Sequence, residues 1–282
     1  MANKILTIIA IVFLSIFFLL ILLVGTLGIG RPISSFREGV AIVQVSGLLR
    51  DAQDIVRQIK NFGKEPHVKG IVVRIESPGG VVAPTQEIFE EIKEVRRKGK
   101  PVVASMGSIA TSGGLYIALA CDKIVANPGT LTGSIGVIMH FPILEKLLQK
   151  LGVGFETIKS DEYKDIGSPF RPMKPKEREL LKEVVDDVYQ EFLNRVKEER
   201  SIPWDKVKEI GDGRVFSGRK AKEFGLVDTL GGLETAIKIA SEMAGIKGEP
   251  RIIQEKKILP FKLILNSLWA KLTTPVLLYL PY

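Results

Sequence analysis

Apolar and polar positions along the chain fall into two regimes. From Ile5 to Gly30, between Lys4 and Arg31, 26 residues carry no charge. As a helix this stretch would extend about 39 Å, more than the roughly 30 Å hydrocarbon core of a bilayer, which predicts one N-terminal transmembrane helix. A cleaved signal peptide has an apolar region of only about 7 to 15 residues followed by a small-residue cleavage site. No such site precedes Arg31, so an uncleaved anchor is expected. After a linker from Arg31 to Glu38, short β-branched runs alternate with amphipathic stretches, the signature of an α/β domain.

The runs Val40 to Val45, Ile71 to Glu76, Val102 to Ser105 and Lys123 to Ala126 read as strands. Their continuous apolar character suits a mostly parallel sheet with flanking helices on both faces. Helices are expected at Asp51 to Phe62, Pro84 to Lys98, Leu115 to Cys121 and Pro142 to Leu151. A long helix over Pro175 to Arg200 follows, with Leu180, Leu181, Val184, Val188, Phe192 and Val196 at helical spacing. That stripe reads as core-facing and without chemistry. Trp204 to Ile210, Ser217 to Phe224 before Gly225, and Leu233 to Ala244 with Gly245 as cap complete the domain. Phe261, Ile264, Leu265, Leu268 and Leu272 then share one helical face, ahead of Pro275 and an apolar end. This reads as an interfacial membrane helix or a subunit contact. The expected organisation is an anchor and linker at 1–38, a catalytic domain at 39–247 and a basic, apolar tail at 248–282.

Composition narrows the class. With 282 residues, 45% hydrophobic and 26% charged, the chain is neither a disordered tail nor a disulfide-stapled module. Forty Lys and Arg against 32 Asp and Glu give +8, and Lys247 to Tyr282 holds six of the positive and two of the negative residues. The basic residues are not interleaved with an aromatic platform, so nucleic acid is not an expected partner, whereas a solvated or lipid-facing surface is. Lys4 and the α-amino group balance Arg31 and Arg37, which leaves orientation across a membrane unassigned by charge. Cys121 is the sole cysteine, which excludes an intrachain disulfide and a thiolate zinc cluster. No cofactor or metal is expected.

The two histidines offer little to a Ser-His-Asp arrangement. His67 sits in a polar turn before a strand, and His140 reads as packed at a loop. Two glycine-rich segments carry more. Ser77-Pro78-Gly79-Gly80 lies between a strand and a helix, where N–H groups can face an anion, although a plain tight turn explains the same residues. The segment Met106 to Tyr116 follows another strand and opens an apolar helix. In it Ser112 stands before Gly113 and Gly114, either as an exposed hydroxyl at a helix start or as an ordinary N-cap.

Together, the two segments about 30 residues apart resemble the Clp protease and crotonase superfamily. Ser105-Met106-Gly107 through Ala110 to Tyr116 is similar to the nucleophile segment of signal peptide peptidases of the SppA type. The resemblance continues through Thr130 to Val137, Tyr163 to Arg171 and Asp212 to Gly218, and spans about Val40 to Gly245. It implies a serine peptidase with Ser112 as nucleophile and Lys164 as general base. It further implies a Gly80 and Gly113 oxyanion hole, with Ser134 orienting the lysine. A lysine can replace histidine as base because desolvation lowers the pKa of a buried amine. Leu115 stands where the family often has an aromatic residue, a difference expected to alter packing.

The expected partners are cleaved signal peptides and other hydrophobic peptides, membrane lipid, and further copies of the chain in a ring-like homo-oligomer. The catalytic domain is expected outside the cytoplasm. In tandem-repeat members the serine and lysine come from different repeats. A chain half their length should therefore borrow its lysine from a neighbour. Two other readings retain the fold: crotonase-type acyl-CoA chemistry, which also holds an oxyanion on two N–H groups, and a non-catalytic membrane scaffold.

Overall fold

The structure, a computed structural model, describes residues 11–19 and 38–255. The chain divides into two units, Met1–Glu38 and Gly39–Tyr282. Within the first, residues 11–19 form helix α1 with every residue exposed, and the Ser15 hydroxyl donates to the Ile11 carbonyl at 2.8 Å. Among the described residues no helix is long and apolar enough to cross a membrane. The rest of the expected span lies outside them, as does the expected helix at Phe261 to Leu272.

In the second unit the strands are β1 (Gly39–Ser46), β2 (Val68–Ser77), β3 (Val102–Thr111), β4 (Lys123–Ala126), β5 (Leu131–Gly133), β6 (Val215–Ser217), β7 (Thr229–Leu230) and β8 (Arg251–Ile253). The helices are α2 (Gln53–Lys64), α3 (Val82–Arg97), α4 (Gly113–Leu119), α5 (Glu145–Lys150), α6 (Pro175–Arg200), α7 (Trp204–Ile210), α8 (Gly218–Glu223) and α9 (Leu233–Met243). They build one eight-stranded sheet in the order β6-β5-β3-β2-β1-β8, with β4 also on β3 and β7 on β4. Every pairing is parallel except β5 with β6.

Strand alternation explains why the sequence shows runs and not an apolar-polar rhythm. Ala41, Val43, Ile71, Val73, Val102 and Ala104 point into the larger core, shared with α2, α3 and α4. Val40, Ile42, Val72, Val103 and Val125 point the other way, onto Ala236, Ile237 and Ala240 of α9. Both faces are covered at these positions, so the runs stay apolar. Each fully buried side chain such as Ile71, Ile75 or Phe89 contributes about 1.5 to 3 kcal/mol of transfer free energy.

β3 departs from the expected strand by running on to Thr111. It forks the sheet: Val103 to Met106 pair with β4, whereas Ile109 to Thr111 pair with β5. Between the halves the register against β2 slips, and the Glu76 carboxylate accepts from the Ser108 and Ile109 N–H groups at 3.0 and 3.2 Å. The bulge satisfies donors that a regular ladder would have paired. The helix expected from Pro142 contracts to Glu145–Lys150, and the Leu144 N–H just before it donates to the Pro169 carbonyl at 2.7 Å.

Helix α6 keeps its expected bounds but not its expected role. Pro175 opens it and the Glu177 carboxylate accepts from the Lys174 N–H at 2.9 Å. Phe192 and Val196 are buried, but Leu180, Leu181 and Val188 are half-buried and Val184 is 47% exposed. Only its C-terminal half packs into the core, where Lys93 pairs with Glu199 and the Arg200 guanidinium reaches Asp228 at 3.0 Å.

Candidate active site

Ser112 stands between the end of β3 and the start of α4, with φ 51° and ψ −117°. A positive φ is uncommon for a residue with a Cβ and costs on the order of 1 to 3 kcal/mol, so the surroundings must hold it. They do: its N–H donates to the Gly133 carbonyl at 2.8 Å, and its carbonyl accepts from the Tyr116 N–H at 2.9 Å. The side chain makes no capping hydrogen bond. The N-cap explanation for this serine therefore fails, and the hydroxyl is left available.

The Gly79-Gly80 segment is fixed beside it. The Leu49 N–H donates to the Gly79 carbonyl at 2.9 Å, and the Val81 N–H donates to the Leu49 carbonyl at 2.7 Å. In a parallel bridge of this form the middle residue, Gly80, directs its own N–H away from Leu49. Gly79 has φ +108°, and a Cβ on Gly80 would lie 2.1 Å from the Leu49 oxygen, so neither position accepts a side chain. A Cβ on Gly113 would fall 3.3 Å from the Gly80 nitrogen. Two main-chain nitrogens thus stand close together beside the Ser112 hydroxyl, where the 16-residue α3 begins and its dipole favours negative charge.

Two clefts flank Ser112 and share Gly136 and Val137. One, of about 410 Å³ including its mouth, is walled by Val82, Thr85, Gln86, Tyr116, Val188 and Phe192, with Glu191. The acid is already partnered: its Oε1 accepts from the Tyr116 hydroxyl at 2.5 Å and from the Arg195 Nε at 2.9 Å. Burial, and then the Glu191 carboxylate, push the Tyr116 phenol well above its ordinary pKa, so it stays a donor. The second cleft, of about 1070 Å³ with its mouth, is more open and is lined by Pro78, Ser134, Ile135, Val185 and Tyr189, with Lys182 paired to Asp186. A trough on both sides of a serine suits an extended chain lying across it.

Of the residues expected at the site, Ser112, Gly80, Gly113 and Ser134 are brought together. Ser134 has φ 53°, gives its N–H to the Arg214 carbonyl at 2.8 Å and lines the second cleft. Lys164 is exposed, in a turn where its N–H donates to the Asp161 carbonyl at 3.3 Å, and it lines neither cleft at Ser112. His67 lies in the turn before β2, and His140 is exposed where packing was expected. Cys121 is buried, and burial pushes its thiol far up. Sequence reading missed the α6 wall: Val185, Val188, Glu191 and Phe192 recur at helical spacing and face the clefts. Val188 and Phe192 belong to the apolar stripe read as core-facing, and periodicity alone does not separate a cleft wall from a core face.

Comparison with known proteins agrees with this geometry. Residues 94–247 match the model of peptidase family S49, and residues 38–130 match that of Clp protease. A Synechocystis sp. protein called Putative protease slr0021 is 44% identical over 215 residues, covering 76% of this chain and 77% of its own. Serine protease SPPA, chloroplastic, of Arabidopsis thaliana is 39% identical over 78% of this chain, which spans only 34% of that protein. Protease 4 of Salmonella typhi is 33% identical over 74% of this chain and 35% of its own. With a family match covering more than half its length, a mostly parallel α/β sheet and a strained serine beside paired glycines, the chain belongs to the S49 peptidases, the SppA-type serine peptidases of the Clp protease and crotonase superfamily.

Proposed function

We propose that the protein is a membrane-anchored endopeptidase that degrades cleaved signal peptides and other hydrophobic peptides at the membrane, using Ser112 and Lys164. The observation that carries this reading is the strained Ser112, with an uncapped hydroxyl next to the Gly80 and Gly113 nitrogens in a mainly apolar trough. In the reaction the Ser112 Oγ attacks the scissile carbonyl while its proton passes to the neutral Lys164 amine. The Gly80 and Gly113 N–H groups hold the resulting oxyanion, each contributing about 3 kcal/mol. Collapse breaks the C–N bond, and the Lys164 ammonium returns its proton to the leaving amine. Water activated by the same amine then hydrolyses the ester and restores the serine. Ser134 orients the amine.

Because Lys164 is exposed and away from the Ser112 clefts of its own chain, the lysine is supplied by a neighbouring copy in a ring-like homo-oligomer. Exposed apolar side chains in the preceding segment support an interface: Leu147, Leu151 and Phe155 are exposed and Ile158 is 94% exposed. The uncharged stretch Ile5 to Gly30 is read as the anchor, residues 39–247 as the catalytic domain on the extracytoplasmic side, and residues 248–282 as a lipid- or subunit-facing tail. Co-assembly of Ser112→Ala with Lys164→Ala chains tests the shared site. Partial recovery of peptide hydrolysis is expected, since some neighbours pair an intact serine with an intact lysine. Verified mixed oligomers without activity would reject the sharing.

A further inference from the structure

We propose that Arg171 is a positioning residue for Lys164, clamping the lysine-bearing turn to the free end of α6. This rests on the Ser112 and Lys164 reading above. One guanidinium grips two carboxylates: its Nε and Nη2 donate to the two Asp165 oxygens, both at 2.8 Å. Its Nη1 and Nη2 donate to the Glu177 oxygens at 2.8 and 2.6 Å. Asp165 is the residue next to Lys164, and Glu177 lies in the first turn of α6. Weaker bonds to the Asp165 and Pro172 carbonyls, at 3.3 and 3.1 Å, use the remaining donor directions. Lys159 closes the turn from the other side, donating to Asp165 Oδ1 at 2.5 Å and to the Glu162 carbonyl at 2.8 Å.

Stability alone does not account for this cluster. The Glu177 side chain is 0% exposed and Arg171 25%, so desolvation offsets part of the ion-pair gain, and the forked geometry is specified beyond what that net gain requires. The fixed quantity here is the position of Lys164 relative to α6. The helix is anchored at its far end by Arg200 to Asp228 and walls the Ser112 clefts in its middle. From Glu177 to Val188 it advances about 17 Å. A rigid rod therefore carries a serine trough along its flank and a lysine at its tip, and Arg171 joins the tip to the rod. Lysine in place of Arg171 would keep the charge but could not make both forked contacts.

The test uses the full chain in detergent with an apolar peptide substrate. Arg171→Lys and Asp165→Asn are compared with wild type and with Lys164→Ala for kcat, KM, melting temperature and oligomer size. A displaced base predicts a fall of about 100-fold in kcat with KM within about twofold, since the peptide trough is untouched. It also predicts that Arg171→Lys adds nothing to the loss caused by Lys164→Ala. Wild-type kcat in both clamp variants, with Lys164→Ala inactive, would overturn the proposal and leave the dyad standing. A loss that tracks the melting temperature or oligomer size, or that multiplies with Lys164→Ala, would show a structural role and overturn it equally. An active Lys164→Ala chain would remove the dyad itself.

Discussion

The Ser112 N–H donates to the Gly133 carbonyl oxygen at 2.8 Å, so the strained turn after β3 is suspended from the end of β5. The adjacent Ser134 also has positive φ, so the two serines form one braced unit. Ser112→Ala is expected to lower peptide hydrolysis by about 10⁴-fold or more. Ser108→Ala should retain most of it, because that side chain is exposed at the bulge, where its N–H rests on Glu76. Steady-state rates with a fluorogenic peptide distinguish them, and equal losses in two folded variants would unseat Ser112.

The paired glycines separate fold from catalysis. A Cβ at position 80 would land 2.1 Å from a main-chain oxygen, whereas one at 113 meets the Thr85 hydroxyl at 2.9 Å. Gly80→Ala should therefore lower the melting temperature more than Gly113→Ala. Gly113→Ala should still lose about 10²-fold in kcat if its N–H is displaced from the oxyanion. A Gly113→Ala melting temperature below that of Gly80→Ala would contradict this steric ordering.

Activity should rise with pH, because an amine acting as general base must be deprotonated. His140 is exposed and outside both clefts, so His140→Gln should leave that rise in place. A rise that shifts with this substitution in a pH–kcat profile would assign the base to histidine.

Acid should loosen the clamp around Arg171. The guanidinium, then the Lys174 N–H, hold the Glu177 carboxyl down at about 2 from a usual 4.5. Arg171 and then Lys159 hold Asp165 lower still. A carboxyl depressed in the folded state contributes stability above its unfolded pKa and loses it as pH falls through the folded value. The melting temperature should thus decline as pH drops from about 4.5 toward about 2, and Glu177→Gln should flatten that decline. Equal slopes in the two chains would show that other carboxyls dominate.

Surface substitution offers a fifth check. Leu147→Asp and Ile158→Asp alter exposed side chains, so the fold should melt normally while sedimentation shows a smaller assembly and activity falls. Unchanged sedimentation with both aspartates in place would remove this face from the interface.

The central strands and the serine segment were legible in the sequence because they depend on local pattern. Val102 to Ser105 and Lys123 to Ala126 are apolar on both faces, and Ser112-Gly113-Gly114 marks a turn whatever surrounds it. What escaped depends on distant partners. β3 runs past Ser105 because β5 receives it, and Arg251–Ile253 becomes a strand only beside β1. The α6 stripe is periodic throughout, yet nothing local tells Val184, which is exposed, from Val196, which is buried. Spacing gives a face, and the tertiary environment decides what that face meets.

The C-terminal end of α6 is tied by Arg200 to Asp228, while its first turn carries Glu177 into the ion cluster with Arg171. On the shared-site reading proposed above, a newly made protomer would complete its core and still hold only half of a reaction centre. Proteolysis would then follow local concentration, weak where protomers are dilute and stronger where copies meet.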